Sequence, residues 1–240
     1  MSDLPPNQQA RAITICPANG HVAVADNEGG VTVRAGMDKL DEVVATLEPK
    51  AKEWIEAMEY SPSGTLLAVG SHDNNIRVYS VESGYELHAE LTGHNSFITH
   101  LDWSADGKFI RSNCGAYELL FFDAEAGERL PDGASLTADV KWQSSTCTIT
   151  WNSEEVFPPG TDGTHVNSIA LSASGDTFAT GDDWGLVQLH RNPIRNPKHK
   201  TKAYRAHSEH VVRVTFEAED ALIFSVGGYD QTLMQWRKVE

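Results

Sequence analysis

Apolar and polar residues alternate with a period of two in four well-separated stretches: WIEAMEY (54–60), FITHLDW (97–103), HVNSIAL (165–171) and HVVRVTF (210–216). Rich in Val, Ile, Phe and Thr, such alternation predicts half-buried β-strands rather than helices. Each stretch runs into a tight turn and a second strand of the TLLAVG type. A turn rich in Asp, Asn or Gly follows: SHDNN (71–75), CGAYE (114–118), GDDWG (181–185) and GGYDQ (227–231). A third strand then ends in aromatic or apolar residues (IRVYSV, ELLFFDA, LVQLHR, TLMQWRK), and a more polar outer segment remains, as in GYELHAEL (84–91) and KAYRAH (202–207). Only DKLDEVVATLE (38–48) hints at a helix, and it reads better as an outer strand with a loop.

The same grammar repeats five times. CPANGHVAVA (16–25), SPSGTLLAVG (61–70), SADGKFIRSN (104–113), SASGDTFATG (172–181) and a degenerate EAEDALIFSV (217–226) each place a small-residue turn before an apolar strand. The turn positions Gly20, Gly64, Gly107, Gly175 and Asp220 lie 44, 43, 68 and 45 residues apart, the 68 being one period plus an insertion. Four short antiparallel strands in a unit of this length make one blade of a β-propeller. The expected organisation is an N-terminal tail over 1–10 and a propeller region over 11–240, with blades near 11–50, 51–92, 93–135, 136–200 (including the insertion) and 201–240. Five blades expose two edges, so the expected form is an open arc or part of a larger propeller, completed by further blades or a second chain.

Composition narrows the functional classes. Thirty-four acidic against 19 basic residues give a net charge of −15, which disfavours nucleic-acid backbones and anionic membranes as partners. No eighteen-residue apolar run offers a membrane-spanning helix, and the opening MSDLPPNQQARAITICPANG lacks the features of a signal peptide. Cys16, Cys114 and Cys147 are odd in number and widely spaced, which favours buried free thiols in a reducing compartment over disulfides or a zinc site.

These units resemble WD40 repeats. Gly93-His94 precedes a first strand as in that family, and the last copy is the fullest match, with His207, Ser225, Asp230 and Trp236 at the positions of the family's structural tetrad. The resemblance implies a hydrogen-bonded chain from Trp through Ser and His to Asp that pins the turn. Tyr117 stands where the tetrad Asp is expected in the third copy, and the first copy lacks the His. Further stretches are more specific: AVGSHDNNIRVYSV (68–81), GHNSFITHLDWS (93–104), SNCGAYELLFFDA (112–124), SSTCTITW (144–151), VFPPGTDGTHVNSI (156–169), ATGDDWGLVQLHRNP (179–193) and the ending from His207. From about Ala12 onward they resemble the C-terminal propeller of the echinoderm microtubule-associated protein-like family, including its long connection before the fourth copy. The resemblance implies a non-catalytic module that binds tubulin, microtubules or cytoskeletal and ciliary proteins, in the cytoplasm, at the cytoskeleton or in the cilium. A generic WD40 scaffold in a non-cytoskeletal complex is the alternative. The family's coiled coil, basic region and HELP motif have no counterpart ahead of Ala12.

Candidate chemistry is sparse. GTDGTH (160–165) sets Asp162 and His165 between glycines, yet a metal needs three or four convergent ligands, and turn chemistry accounts for every residue there. DNEGG and HDNN lack calcium-loop spacing, and no GxSxG, GxxxxGK[ST] or GxGxxG occurs. No cofactor, metal or catalytic residue is therefore expected. RNPIRNPKHKTKAYR (191–205) concentrates Arg191, Arg195, Lys198, Lys200, Lys202 and Arg205 without an acidic residue. It reads either as a solvated loop or as a patch for an acidic partner. The six tryptophans are expected in the packing of the blades, with Trp184 in the GDDWG turn as an exposed contact candidate.

Overall fold

The computed structural model describes residues 9–48, 52–157, 160, 165–196 and 198–237. Its packing divides the chain into two compact units, Met1–Gln143 and Ser144–Glu240. Both are built from antiparallel meanders in which each strand pairs with the next in sequence.

The first unit holds three such sheets. The first comprises β1 (Ala10–Ile15), β2 (Val22–Asp26), β3 (Val31–Arg34) and β4 (Val43–Leu47); the second comprises β5 (Ile55–Tyr60), β6 (Leu66–Ser71), β7 (Ile76–Ser80) and β8 (Glu86–Leu91). The third comprises β9 (Ile98–Trp103), β10 (Phe109–Cys114), β11 (Leu119–Asp123) and the two-residue β12 (Glu128–Arg129). The ambiguous segment at 38–48 resolves as expected: a 3₁₀ turn at Met37–Lys39, then the outer strand β4. First strands pack against first strands, β1 on β5 and β5 on β9. Middle strands such as β6 and β10 are buried on both faces because neighbouring sheets cover them, while the outer β4 and β8 are mostly exposed. Trp103 shows the packing at its densest: fully buried, it donates its indole N–H to the Glu59 carbonyl on β5 at 3.0 Å. Burial of a ring this size is worth about 2–3 kcal/mol, and its one polar atom is satisfied across the sheet boundary.

The second unit holds two sheets. One comprises β13 (Val166–Leu171), β14 (Thr177–Asp182), β15 (Leu186–Arg191) and β16 (Thr201–Arg205); the other comprises β17 (Val211–Phe216), β18 (Leu222–Gly227) and β19 (Leu233–Arg237). KAYRAH therefore supplies the outer strand of the fourth sheet, and the fifth has three strands among the described residues. β13 packs on β17, so the first-strand rule of the first unit holds here too.

The fold is all-β, of the WD40-type propeller class, with five consecutive blades. Its repeat rests on backbone geometry. Between first and second strands, Gly20, Gly64, Gly107 and Gly175 have φ of 73–75° and Asp220 has 59°. Between second and third strands, Gly29, Asn74, Tyr117, Gly185 and Gln231 occupy the same left-handed region. Glycine and asparagine enter that region cheaply, and hairpins of this kind require it. The insertion after β12 forms a single helical turn, α1 (Gly133–Leu136), then returns so that Trp142 bridges to Ser104 and lies under the Arg111 guanidinium at 4.3 Å.

Turn networks and an exposed basic strand

In the last blade, four side chains at the tetrad positions meet. Trp236 Nε1 donates to Ser225 Oγ at 2.8 Å, and Ser225 Oγ lies 2.7 Å from His207 Nε2. His207 Nδ1 lies 3.1 Å from Asp230 Oδ2. One proton direction satisfies every atom: indole N–H to hydroxyl, hydroxyl to Nε2, and Nδ1–H to carboxylate. Burial raises the Asp230 pKa, but donors from Thr232, His207 and the Ser208 N–H outweigh it and keep it below the ordinary carboxylate value. His207 and Ser225 are buried, so the chain satisfies polar groups that water cannot reach while tying the approach to β17 to the β18–β19 turn. Each polar side-chain atom of the chain has a partner within it or in the adjoining turn.

Aligned by their backbone hydrogen bonds, the other blades use the same positions differently. Asn74 N–H bonds the Ser71 carbonyl, Tyr117 N–H the Cys114 carbonyl and Gln231 N–H the Gly228 carbonyl. Tyr117 is thus the left-handed residue of its turn, and Ala116, not Tyr117, occupies the place of Asp73 and Asp230. The carboxylate of that blade comes two residues later, from Glu118, because a longer side chain can reach back. In the first and fourth blades the acid moves earlier. Asp26 accepts the Glu28 and Gly30 N–H groups, and Asp182 accepts those of Trp184 and Leu186. In the fourth blade His190 stands at Trp236's register position and Thr180 at Ser225's, 3.0 Å apart.

Two clusters escaped the sequence reading. His190 Nδ1 lies 2.8 Å from His199 Nε2. Burial, and then the charge of His199, push the His190 pKa down to about 4. In the third blade His94 Nε2 lies 2.7 Å from Ser112 Oγ, and Cys114 Sγ donates to Glu118 Oε2 at 3.1 Å. The spacing of His94, Cys114 and Glu118 matches no metal motif, and only the β9–β10 register brings them together.

The basic segment lies on the outside of the fourth blade. Ile194 is fully buried beside Val156, Val166 and Phe178, its N–H bonds the Asn152 carbonyl, and Asn192 Nδ2 reaches the Gly175 carbonyl at 2.7 Å. His199 on His190 makes a further anchor. Between and beyond these anchors Arg191, Arg195, Lys198, Lys200, Lys202 and Arg205 are all exposed, the last two on β16, whose every residue is exposed. Tertiary anchors thus hold a row of cations away from the core.

Aromatic rings recur just ahead of the first strands. The carbonyls of Trp54, Phe97, His165 and His210 accept equivalent N–H groups from His72, Gly115, Asp183 and Gly228. Within the first unit Arg11 lies 3.7 Å over Trp54, and Trp54, His72 and Phe97 follow in contact, with the last two rings 4.6 Å apart. Trp184 is 41% exposed and stacks on His165 at 4.9 Å. The expectation that the other tryptophans serve packing fails for Trp54 and Trp151, which are 42% and 67% exposed. Asp162 lies outside the described residues. The three cysteines are free and buried.

Comparison with known proteins gives these features a context. Residues 2–238 match the family model described as the echinoderm microtubule-associated protein second beta-propeller. The ciliary WD repeat-containing protein ctxp80 of Euplotoides octocarinatus is 46% identical over 99% of this chain and 33% of its own length. The 77 kDa echinoderm microtubule-associated protein of Lytechinus variegatus is 42% identical over 81% of this chain and 30% of its own. Human echinoderm microtubule-associated protein-like 4 is 38% identical over 93% and 23%. The chain spans about a third or less of these relatives. A chain in the crystal structure of the mitotic checkpoint complex superposes with a TM-score of 0.76 at 12% identity, covering 100% of this chain and 77% of that one, a likeness of fold alone.

Proposed function

The chain belongs to the echinoderm microtubule-associated protein family, as a form of its second propeller, and from that premise we propose that it is a non-catalytic module that docks on microtubules or on proteins bound to them. The observation that carries the reading is the exposed basic row on the fourth blade. The chain as a whole has a net charge of −15, and an acidic surface such as that of tubulin would repel it. Six cations within fifteen residues, with no acid among them, make a local reversal of that field. Anchoring at Ile194 and His199 limits the entropy lost on docking, which favours a binding surface over a solvated loop. A cytoskeletal location, ciliary where cilia exist, follows from the same reading.

Co-sedimentation with polymerised tubulin at low and high salt tests it. Pelleting at low salt that weakens as salt rises is expected, because screening removes the attraction of exposed charges. Replacing Arg195, Lys198, Lys200 and Lys202 by Gln should abolish that pelleting without changing the melting temperature. Absence of pelleting at low salt removes direct binding and leaves a scaffold that meets other proteins. Equal pelleting by the quadruple variant removes the basic row as the contact.

A further inference from the structure

The third blade has an alanine where the second and last blades carry the turn aspartate, and three different donors gather in the space. The geometry points to a zinc-type divalent cation site formed by His94 Nδ1, Cys114 Sγ and Glu118 Oε2. Sγ and Oε2 are 3.1 Å apart, Nδ1 and Oε2 are 3.4 Å apart, and all three ligand atoms lie within 4.8 Å of one another. A tetrahedral ion with bonds of about 2.0–2.3 Å separates its ligands by about 3.3–3.6 Å. Two of the three separations lie within about half an ångström of that spacing, and a side-chain adjustment of about 1 Å closes the third. A set of one nitrogen, one sulfur and one oxygen selects zinc over magnesium or calcium, which require all-oxygen shells.

An independent observation points the same way. The His94 side chain is 1% exposed, and its Nδ1 is a buried polar atom aimed into the cluster, 3.4 Å from Glu118 Oε2 and short of a well-formed hydrogen bond. A lone pair there has a use if it meets a cation. The opposite nitrogen, Nε2, lies 2.7 Å from Ser112 Oγ; in the Nε2–H tautomer, which leaves the Nδ1 lone pair to a cation, it donates to that hydroxyl, the arrangement by which a second residue orients a metal-ligating imidazole. Glu118 is held in place by Asn95, whose backbone N–H donates to Oε2 at 2.9 Å and whose side-chain amide donates to Oε1. Its side chain is 26% exposed, which leaves a path for a water as fourth ligand. Arg129 is the opposing charge nearby.

Loading exchanges a proton for the ion. Cys114 S–H now donates to Glu118 Oε2. On binding, the S–H bond breaks, the sulfur–metal bond forms, and one proton leaves to solvent. Because that proton must leave, protons compete with the cation and affinity rises with pH. The bound ion would join the approach to β9 to the β10–β11 turn, the linkage that Asp230 makes in the last blade.

Chelator-treated full chain is titrated with Zn²⁺ against a chromophoric competitor, and separately with Co²⁺. One equivalent binding at about 1 μM or tighter, near 8 kcal/mol, is expected, with a thiolate-to-cobalt charge-transfer band. Cys114→Ser should remove the band and weaken binding more than about tenfold, whereas Cys16→Ser should leave both intact. Zn²⁺ should also protect Cys114 of the unaltered chain from alkylation, a readout that no folding defect in a variant can imitate. Binding that is substoichiometric, or unchanged in Cys114→Ser, or that leaves Cys114 open to alkylation overturns the site.

Discussion

Lowering the pH from 7 to 5 is expected to cost the folded chain about 2 kcal/mol through one side chain, His190. The ring is 3% exposed, bonded at one end to Thr180 and at the other to His199. Burial, reinforced by the charge of His199, lowers its pKa from 6.5 to about 4. The sign follows from proton counting. Above 6.5 neither the folded nor the unfolded chain protonates this ring, and the stability it supports is fully present. Between 6.5 and 4 the unfolded chain takes up a proton that the folded chain refuses, so stability falls by about 1.4 kcal/mol per pH unit. The loss reaches about 2 kcal/mol at pH 5 and levels off near 3 below pH 4. Urea unfolding at pH 7 and 5 measures it, on the unaltered chain and on His190→Gln. The variant is less stable at pH 7, having lost packing, but its further loss on going to pH 5 should be smaller by about 2 kcal/mol. His94, whose pKa burial also lowers, is the same in both proteins and cancels in the difference. Equal losses in the two proteins would refute the reasoning, since a ring that protonates freely in the fold contributes no slope.

Ser225→Ala should destabilise by about 2–3 kcal/mol, because it leaves both His207 Nε2 and the Trp236 N–H buried without their partner. A double-mutant cycle with Trp236→Phe should show coupling between the two sites. Gly64→Ala and Gly107→Ala both place a Cβ at a left-handed φ, costing about 1 kcal/mol. Gly64→Ala should lose clearly more, as its Cβ would meet Ala18 Cβ at 2.6 Å and Cys16 Sγ at 2.9 Å, whereas Gly107's has only Pro62 Cδ at 3.8 Å. Equal melting temperatures would mean that the backbone gives way around residue 64. Asp220→Gly relieves the same left-handed strain yet should lower the melting temperature, since Asp220 accepts the Ala173 and Ser174 N–H groups at 2.7 and 2.8 Å.

Strands and turns were legible because period-two alternation and left-handed glycines are local properties. Gly20, Gly64, Gly107 and Gly175 mark a conformation that other residues enter at a cost, so their spacing alone reveals the repeat. What the sequence hid depends on register. Whether KAYRAH belongs to the fourth or fifth blade is set by the pairing of Leu186 with Arg205 and Val187 with Tyr204, which no residue in the segment announces. Tyr117 misled for the same reason. Counting along the chain makes it the aspartate's substitute, but its φ of 63° makes it the turn's left-handed residue, with Ala116 in the aspartate's place. The exposed Trp54 and Trp151 also ran against composition; an indole beneath an arginine guanidinium, as Trp54 is, needs no core. The basic row was visible as charge; that Ile194 and His199 anchor it was not.

The second-to-third-strand turn therefore separates what the fold requires from what is free to vary. Every blade keeps one residue of that turn at positive φ, and in four of the five a carboxylate caps N–H groups there. Asp26 and Asp182 do so from the strand end and Asp73 and Asp230 from inside the turn, whereas Glu118 accepts the Asn95 N–H ahead of β9, as Asp230 accepts that of Ser208. In the second blade the acid also recruits Arg77, at 2.6 Å from Asp73 and 2.7 Å from Glu90, and in the last it recruits His207. The left-handed residue and its backbone bond recur while the acid moves, so the side chains gathered around the acid can change without unfolding the blade. Only in the third, among the described residues, does the change bring a thiol and an imidazole nitrogen to the same carboxylate, a donor set that goes beyond capping.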